Sequence, residues 1–337
     1  MELETKAAIA AIASYLPEGR LTNETLASEL GAWSAGDILQ KTGIAERRIA
    51  AADECASDLG VAAAQKLFAS GACKPEDVDY LLFCTQSPDY FLPATACLVQ
   101  DRLGLRTGIG AIDFNQGCSG YVYGLSLAKA LIETGQARHV LLITAETYSK
   151  YINRRDRSVR TLFGDAAAAT LVRGVESDRE LLGPFVFGTD GRGADNLIVA
   201  TGAARRLRTP ESAEEVEEKG SWRSRDNLYM NGAEIFNFTL KAVPAAVHEL
   251  LARSGRESDS VDYFIFHQAN RFMLDRLRAK LGIDVARFCI ELESCGNTVS
   301  STIPIALERA ALPAGKDVML VGFGVGYSWA AAMMRTV

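Results

Sequence analysis

The chain has 337 residues, 48% of them hydrophobic and 23% charged. That balance excludes wholesale disorder, a collagen-like fibre and a coiled-coil rod, and the length suggests about two domains or one two-part unit. Acidic residues outnumber basic ones 42 to 36, for a net charge of -6, which argues against a nucleic-acid binder.

The first apolar stretch, AAIAAIASYL, follows Glu2 and Glu4 rather than a basic segment, so no signal peptide is expected. No run of about 18 apolar residues predicts a membrane span. Further along, residues 57–70 read as a helix ended by Gly71, 78–84 (VDYLLFC) as a buried strand, 119–133 as a helix and 139–145 as a strand. A polar stretch, 203–227, separates these from a helix at 234–253, a strand at 261–266, helices at 270–281 and about 299–311, and a strand at 317–323. Short apolar runs alternating with helices predict an α/β class with parallel strands buried on both faces. Seven cysteines are scattered, odd in number and without a CxxC. A disulfide framework and a zinc site are not expected, and a reducing cytoplasm fits.

The two parts of the chain repeat each other. VDYLLFC from Val78 matches VDYFIFH from Val261, HVLLIT matches DVMLVG with Val140 opposite Val318, and Gly117-Cys118 falls opposite Gly296-Asn297. Each copy reads helix, strand, long connection, Gly-X, helix, strand. A pseudo-twofold between copies brings Cys118 and Asn297 to one cleft, with His267 at the end of the second strand.

Each of these residues also has an ordinary reading. Cys118, in NQGCSGYVYGL, is a helix-start cysteine, and a helix N-terminus lowers a thiol's pKa; it equally fits a buried cysteine with no task. His267 ends a strand where α/β sheets build sites, or is a satisfied core histidine. His139 and His248 read as structural. Asn297 is a candidate polar donor or a plain N-cap. GFGVG at 322–326 has too little chain after it for a dinucleotide unit and better suits a turn aiming an N–H at a substrate oxygen.

Together GCSGYVYGLSLA, FHQAN, CGNTVSSTIPIAL and GFGVGYSWAAAMMR, with KTGIAERRIA and LFGDAAAATLV, resemble β-ketoacyl-acyl carrier protein synthase III over nearly the whole chain. The resemblance implies a thiolase fold: duplicated βαβαβαββ halves, 1–175 and 176–337, packed as a five-layered αβαβα core. It implies Cys118 as the acyl-accepting nucleophile. His267 and Asn297 then hold the malonyl thioester carbonyl and the enolate formed on decarboxylation. The backbone N–H groups of Cys118 and Val325 form the oxyanion hole, and Phe323 packs over the site. Arg157 holds a coenzyme A nucleotide, Asn270 lines the pantetheine tunnel, and Leu92 caps the acyl pocket of a partner in a homodimer. No cofactor or metal is implied. Acyl carrier protein is the expected partner, and Arg271, Arg276, Arg278 and Lys280 are its candidate docking cluster, a solvated helix face being the other reading.

Departures bear on the starter. DILQKTGI puts Asp37 where relatives carry an adenine-stacking tryptophan, with Lys41 for an arginine, and 203–227 is longer than in fatty-acid initiators. These changes look more like synthase III homologues of secondary-metabolite or surface-polysaccharide clusters, and predict loading from acyl carrier protein over acyl-coenzyme A. The expected activity is acyl transfer to Cys118 followed by decarboxylating Claisen condensation. The alternatives are acyl transfer to oxygen or nitrogen, non-decarboxylating condensation, and a silent carrier-binding subunit.

Overall fold

The structure, a computed structural model, describes residues 3–31 and 33–337. The chain opens with β1 (Glu4–Tyr15), then β2 (Gly19–Thr22), α1 (Asn23–Leu30), α2 (Ala35–Thr42) and β3 (Glu46–Ile49), which pairs back onto β2. Next come α3 (Ala56–Ala69), β4 (Tyr80–Cys84), α4 (Thr95–Arg102), β5 (Gly110–Phe114), α5 (Gly120–Glu133), β6 (His139–Glu146) and β7 (Ala166–Ser177). The second part runs β8 (Leu182–Thr189), β9 (Leu197–Ile198), β10 (Val216–Glu218), β11 (Ser221–Arg223), β12 (Tyr229–Met230), α6 (Gly232–Ser254), β13 (Tyr263–Phe266), α7 (Arg271–Leu281), α8 (Thr302–Ala310), β14 (Asp317–Gly324) and β15 (Ser328–Arg335).

Two sheets carry the molecule, in the orders β1-β7-β6-β4-β5 and β13-β14-β15-β8. The repeat read from the sequence appears in the register itself. Tyr80 stands opposite Val140 in the parallel β4–β6 pair, and Tyr263 stands opposite Val318 in the parallel β13–β14 pair. Among the described residues, the second sheet has no full counterpart of β5. A single parallel bridge, Phe264 to Phe288, marks its place.

Helices fill the layers. α5 touches β1, β6 and β7 of one sheet and β8, β14 and β15 of the other, and α8 joins it between them. α3 and α4 cover the outer face of the first sheet, α6 and α7 that of the second. This is a five-layered αβαβα stack, the thiolase fold expected. Strand alternation feeds adjacent layers: Leu142 and Leu320 enter the middle layer with Tyr121, Val122 and Ile303, whereas Ile143 and Val321 face the outer helices. Each large side chain so buried stabilises by ~1.5–3 kcal/mol. The chain passes from the first sheet to the second between Ser177 and Leu182.

The polar stretch 203–227 folds into the β10–β11 hairpin, turning at Lys219 and Gly220, both with positive φ (53° and 83°). Arg223 ties it to the buried Asp156 at 3.2 Å. A β-carbon on Gly220 would lie 2.5 Å from Arg157 Nη1, so the tip rests on that guanidinium.

Candidate active site

Residues 115–119 connect β5 to α5 and place Cys118, which is buried, just before the helix. The end of β14 forms the opposite wall. A β-carbon on Gly322 would meet Cys118 O at 2.8 Å, and one on Gly324 would sit 3.0 Å from Cys118 Sγ. GFGVG is therefore a backbone wall against the cysteine turn. The wall is pinned by Ser328 Oγ, which lies 2.6 Å from Ser119 Oγ and donates to Val325 O at 3.0 Å.

The thiol does not behave as its helix-start position predicts. Burial and the nearby Glu146 push its pKa up to about 12, outweighing the backbone N–H groups of Cys118 and Val325 that donate toward the sulfur and pull the other way. The helix terminus is present, but burial removes the solvation that a thiolate would need. At rest Cys118 is a thiol, flanked by the backbone N–H groups of Cys118 and Val325.

Across the cavity, His267 follows β13 and is held by its own N–H donating to Val321 O at 2.8 Å. Its ring stands edge-on to Phe323, with centroids 5.4 Å apart. Nδ1 lies 2.7 Å from Thr302 Oγ1, and Nε2 lies 3.5 Å from Asn297 Nδ2. Burial lowers the imidazole pKa to about 3, so the ring is neutral at physiological pH.

Asn297 is no ordinary N-cap, because α8 begins only at Thr302. Its backbone is clamped to residues 162–164: its N–H donates to Leu162 O at 2.9 Å, and its carbonyl accepts Gly164 N–H at 3.0 Å. The approach needs glycine on both sides. A β-carbon on Gly164 would fall 2.2 Å from Cys295 O, and Gly296 has φ 76° with its β-carbon position 2.8 Å from Leu162 O. The side-chain amide is oriented by Val299 N–H, which donates to Asn297 Oδ1 at 2.9 Å and turns Nδ2 toward His267. Val299 has φ 56°, a strained value for a β-branched residue.

Cys118, His267, Asn297, Phe323 and Asn270 line one cavity of about 80 Å³. Asn270 also caps α7, its Oδ1 accepting Met273 N–H at 2.9 Å. Met230 and Gly232 border both this chamber and a cleft of about 720 Å³ lined by Trp33, Arg157, Lys219 and Arg223. Those two residues form the neck between the cleft and Cys118.

The structure corrects the reading of Asp37. Its carboxylate is committed to a capping box with Ser34 (Asp37 Oδ2 accepting Ser34 N–H at 3.0 Å) and does not line the mouth. Trp33 lines it instead, beside Arg157, with Lys41 Nζ 4.6 Å from its ring centroid. The turn before α2 brings Trp33 to the cleft wall, so the aromatic residue is displaced in sequence but present in space.

Other expected residues lie apart. Leu92 is 82% exposed on a loop with Tyr90 and Phe91 and does not reach its own chain's chamber. The basic cluster on α7 divides. Arg278 donates to Ile283 O and Lys280 to Leu240 O, whereas Arg276 lies over exposed Phe272 at 5.2 Å and Arg271 pairs with Asp275 at 3.6 Å. His139 begins β6 and His248 lies on the exposed side of α6. A larger outer cleft of about 790 Å³ shares only Phe163 with the chamber, and its Arg160 is paired with Glu29 at 2.5 Å.

Three residues of the site escaped the sequence reading. Thr302 touches His267. Arg47, fully buried, donates through Nε to Thr161 O at 2.9 Å and braces the segment that clamps Asn297. Glu146 accepts Gln86 N–H (3.0 Å), Ser87 Oγ–H (3.1 Å) and Ser300 Oγ–H (2.8 Å), joining the two halves behind the cysteine; burial raises its pKa to about 8. Only Glu146, a charge ending the apolar strand HVLLITA, carried a signal; Arg47, between Glu46 and Arg48, carried none.

The sequence pattern described as 3-oxoacyl-[acyl-carrier-protein] synthase III matches residues 112–191, and its C-terminal counterpart matches 251–336. A β-ketoacyl-[acyl-carrier-protein] synthase III of Caldanaerobacter subterraneus subsp. tengcongensis is 38% identical, covering 98% of this chain and 97% of that one. A 3-oxoacyl-(acyl-carrier-protein) synthase III crystal structure is 56% identical with TM-score 0.97, covering 98% and 99% of the two chains. The 3-oxoacyl-(acyl-carrier protein) synthase of Burkholderia xenovorans LB400 is 38% identical with TM-score 0.90, covering 99% and 95%. Both parts of the molecule, and the turns that carry the cavity, therefore lie within thiolase-fold condensing enzymes. The chain belongs to the 3-oxoacyl-[acyl-carrier-protein] synthase III family.

Proposed function

We propose that this enzyme transfers an acyl group from a thioester to Cys118 and then joins it to a malonyl unit on acyl carrier protein by decarboxylating Claisen condensation. The observation that carries the reading is the chamber itself. Two backbone N–H groups, of Cys118 and Val325, are directed at the nucleophile's sulfur, opposite a neutral imidazole and an oriented amide. An acyl carbonyl attacked by the sulfur places its developing oxyanion near those N–H groups. In the second half-reaction Asn297 Nδ2 and, once Nε2 carries a proton, His267 donate to the malonyl thioester carbonyl. The enolate left by loss of carbon dioxide is thereby held. A covalent intermediate divides the work into two steps and gives ping-pong kinetics.

The mouth supports a nucleotide-bearing donor: Trp33 offers a ring face, and Arg157, Lys219 and Arg223 offer cations. Acyl-coenzyme A is therefore the proposed starter. Arg271, Phe272 and Arg276 form the proposed carrier-protein contact, with apolar surface ringed by positive charge to suit an acidic helix. The open edge of β5, with Ile112 exposed, and the exposed Tyr90, Phe91 and Leu92 support a homodimer in which Leu92 reaches the partner's chamber. All seven cysteines are free, in keeping with a reducing cytoplasm.

Intact-mass analysis after incubation with a panel of acyl-coenzyme A and acyl-carrier thioesters tests the reading. A single acyl adduct on Cys118, followed by carbon dioxide release on adding malonyl-carrier protein, is expected. A folded enzyme that no member of the panel acylates would overturn it.

A further inference from the structure

Gln86, just after β4, lies against the turn that carries Cys118. A β-carbon on Gly117 would fall 2.5 Å from Gln86 Oε1 and 2.6 Å from Val325 Cγ1. The amide therefore packs beside the two residues whose N–H groups point at the sulfur. Each polar atom of Gln86 is engaged. Its N–H donates to Glu146 Oε2 at 3.0 Å, and its carbonyl accepts the Tyr151 hydroxyl at 3.3 Å. Nε2 donates to Asn115 Oδ1 at 3.0 Å, and Oε1 accepts the Tyr148 hydroxyl. Tyr148 is buried, its ring 5.4 Å from that of Phe163, which lines the chamber. Burial, then the charges of Glu146 and Cys118, push its phenol well above the usual pKa, so the hydroxyl stays a donor to Gln86. Neither Gln86 nor Tyr148 lines the neck or the cleft. Moving either side chain aside would strand a hydrogen-bonding group, a cost that a longer acyl chain would have to offset.

We infer that the hydrogen-bonded pair Tyr148–Gln86 is the floor of the acyl pocket and sets the length of the starter, admitting acetyl or propionyl and excluding hexanoyl and longer chains. The inference rests on the loading reaction proposed above. A bound acyl group has its carbonyl oxygen at the N–H groups of Cys118 and Val325 and its thiol carrier in the neck at Met230 and Gly232. Its chain is then directed away from the neck, toward Phe163 and the pair behind it. Length is set inside one protomer by two polar side chains that hold each other in place, and not by Leu92, which stands exposed on its own loop.

Loading rates with acetyl-, propionyl-, hexanoyl- and octanoyl-coenzyme A test the floor. Even one methylene too many in a fitted pocket costs ~10–200-fold, so the unmodified enzyme should load acetyl at least ~10-fold faster than hexanoyl. Tyr148→Leu and Gln86→Thr should each raise the hexanoyl-to-acetyl ratio of kcat/KM by ~10-fold. Equal loading of acetyl and hexanoyl by the unmodified enzyme overturns the inference. So does a ratio that moves with Leu92→Ala and with neither floor variant. If Tyr148→Leu fails to fold, Gln86→Thr, on a partly exposed side chain, decides. A binding measurement separates the floor from the chemistry. S-propyl- and S-heptyl-coenzyme A are thioethers that cannot acylate Cys118. By calorimetry the heptyl compound should bind the unmodified enzyme ~10-fold more weakly than the propyl compound, and Tyr148→Leu should close that gap. If no thioester acylates Cys118 while the thioethers keep this pattern, the loading reaction fails and the floor stands. Thioethers that bind alike in the unmodified enzyme, or not at all, overturn the inference.

Discussion

The turn before α5 and the turn before α8 occupy the same place in the two halves, and they are built for opposite tasks. In the first half the helix starts two residues after Cys118, and backbone N–H groups crowd the sulfur. In the second half the helix is delayed to Thr302, and a strained turn at Val299 spends its peptide groups on orienting Asn297 and His267. The two halves share a register while the connecting turns differ, one bringing backbone N–H groups to a sulfur and one orienting an amide beside an imidazole. The sheets carry the same lesson: the register is shared, but the fifth strand of the second sheet has dwindled to the single bridge at Phe288.

Removing the first turn's sulfur gives the largest effect. Cys118→Ala should lose all acyl-enzyme formation in an intact-mass assay while melting near the unmodified temperature. The second turn should break differently. Asn297→Ala should still load the acyl group, yet release carbon dioxide from malonyl-carrier protein ~10²–10³-fold more slowly, the usual cost of one donor to a developing oxyanion. If both steps fell together, the division of labour between the turns would be wrong.

Backbone contacts between the halves come next. Gly164→Ala puts a β-carbon against Cys295 O, where only main-chain movement can relieve it. Thermal or denaturant unfolding should show a loss of ~3 kcal/mol, at the upper end of overpacking costs, with the clamp on Asn297 loosened.

A milder change separates mouth from chamber. Stacking of a base on an aromatic face is worth ~1–3 kcal/mol, and 1.4 kcal/mol is about tenfold. Trp33→Ala should therefore lower kcat/KM for acyl-coenzyme A by ~10-fold and leave the same acyl chain on carrier protein nearly unchanged. Equal losses on both carriers would show that Trp33 holds the cleft open rather than binding a base.

The smallest effect concerns Glu146, which bonds to residues of both halves. Its folded pKa, about 8, stands above the ordinary 4.5. Its contribution to stability is therefore full below about 4.5 and is lost as pH rises through about 8. Glu146→Gln keeps the acceptors for Gln86 and Ser87 and removes the ionisation. Its melting temperature should fall less than that of the unmodified enzyme between pH 5 and 8, by at least ~2 °C. Parallel melting curves for the two proteins would remove Glu146 from the pH response.

Much of this was legible in the sequence where local chemistry and spacing agree. The repeat placed Cys118 opposite Asn297 because strand patterns and Gly-X turns survive duplication, and His267 stood out as a polar residue ending an apolar strand. β1 and β7 were not legible. AAIAAIASY and AAAATLV are alanine-rich, and alanine is a poor strand former. These strands form because α3, α5 and α8 lie close against both faces and leave room for little more than a methyl group. The direction of the Cys118 shift was misread because a helix start is local, whereas the burial that opposes it is assembled from distant segments. Asp37 was read at the mouth, where Trp33 lies instead, because alignment by position cannot see that the cap at Ser34 redirects the chain. Thr302 looked like any serine- or threonine-rich helix start until His267, from another strand, was set beside it.

Met230 and Gly232 join the chamber to the cleft at the mouth. In the proposed reaction, a spent thiol that leaves past them takes the passage by which the malonyl carrier arrives, so neither waits inside for the other. An excess of either thioester then obstructs traffic in both directions. Throughput should peak at matched supplies of starter and extender and decline when one of them floods the entrance.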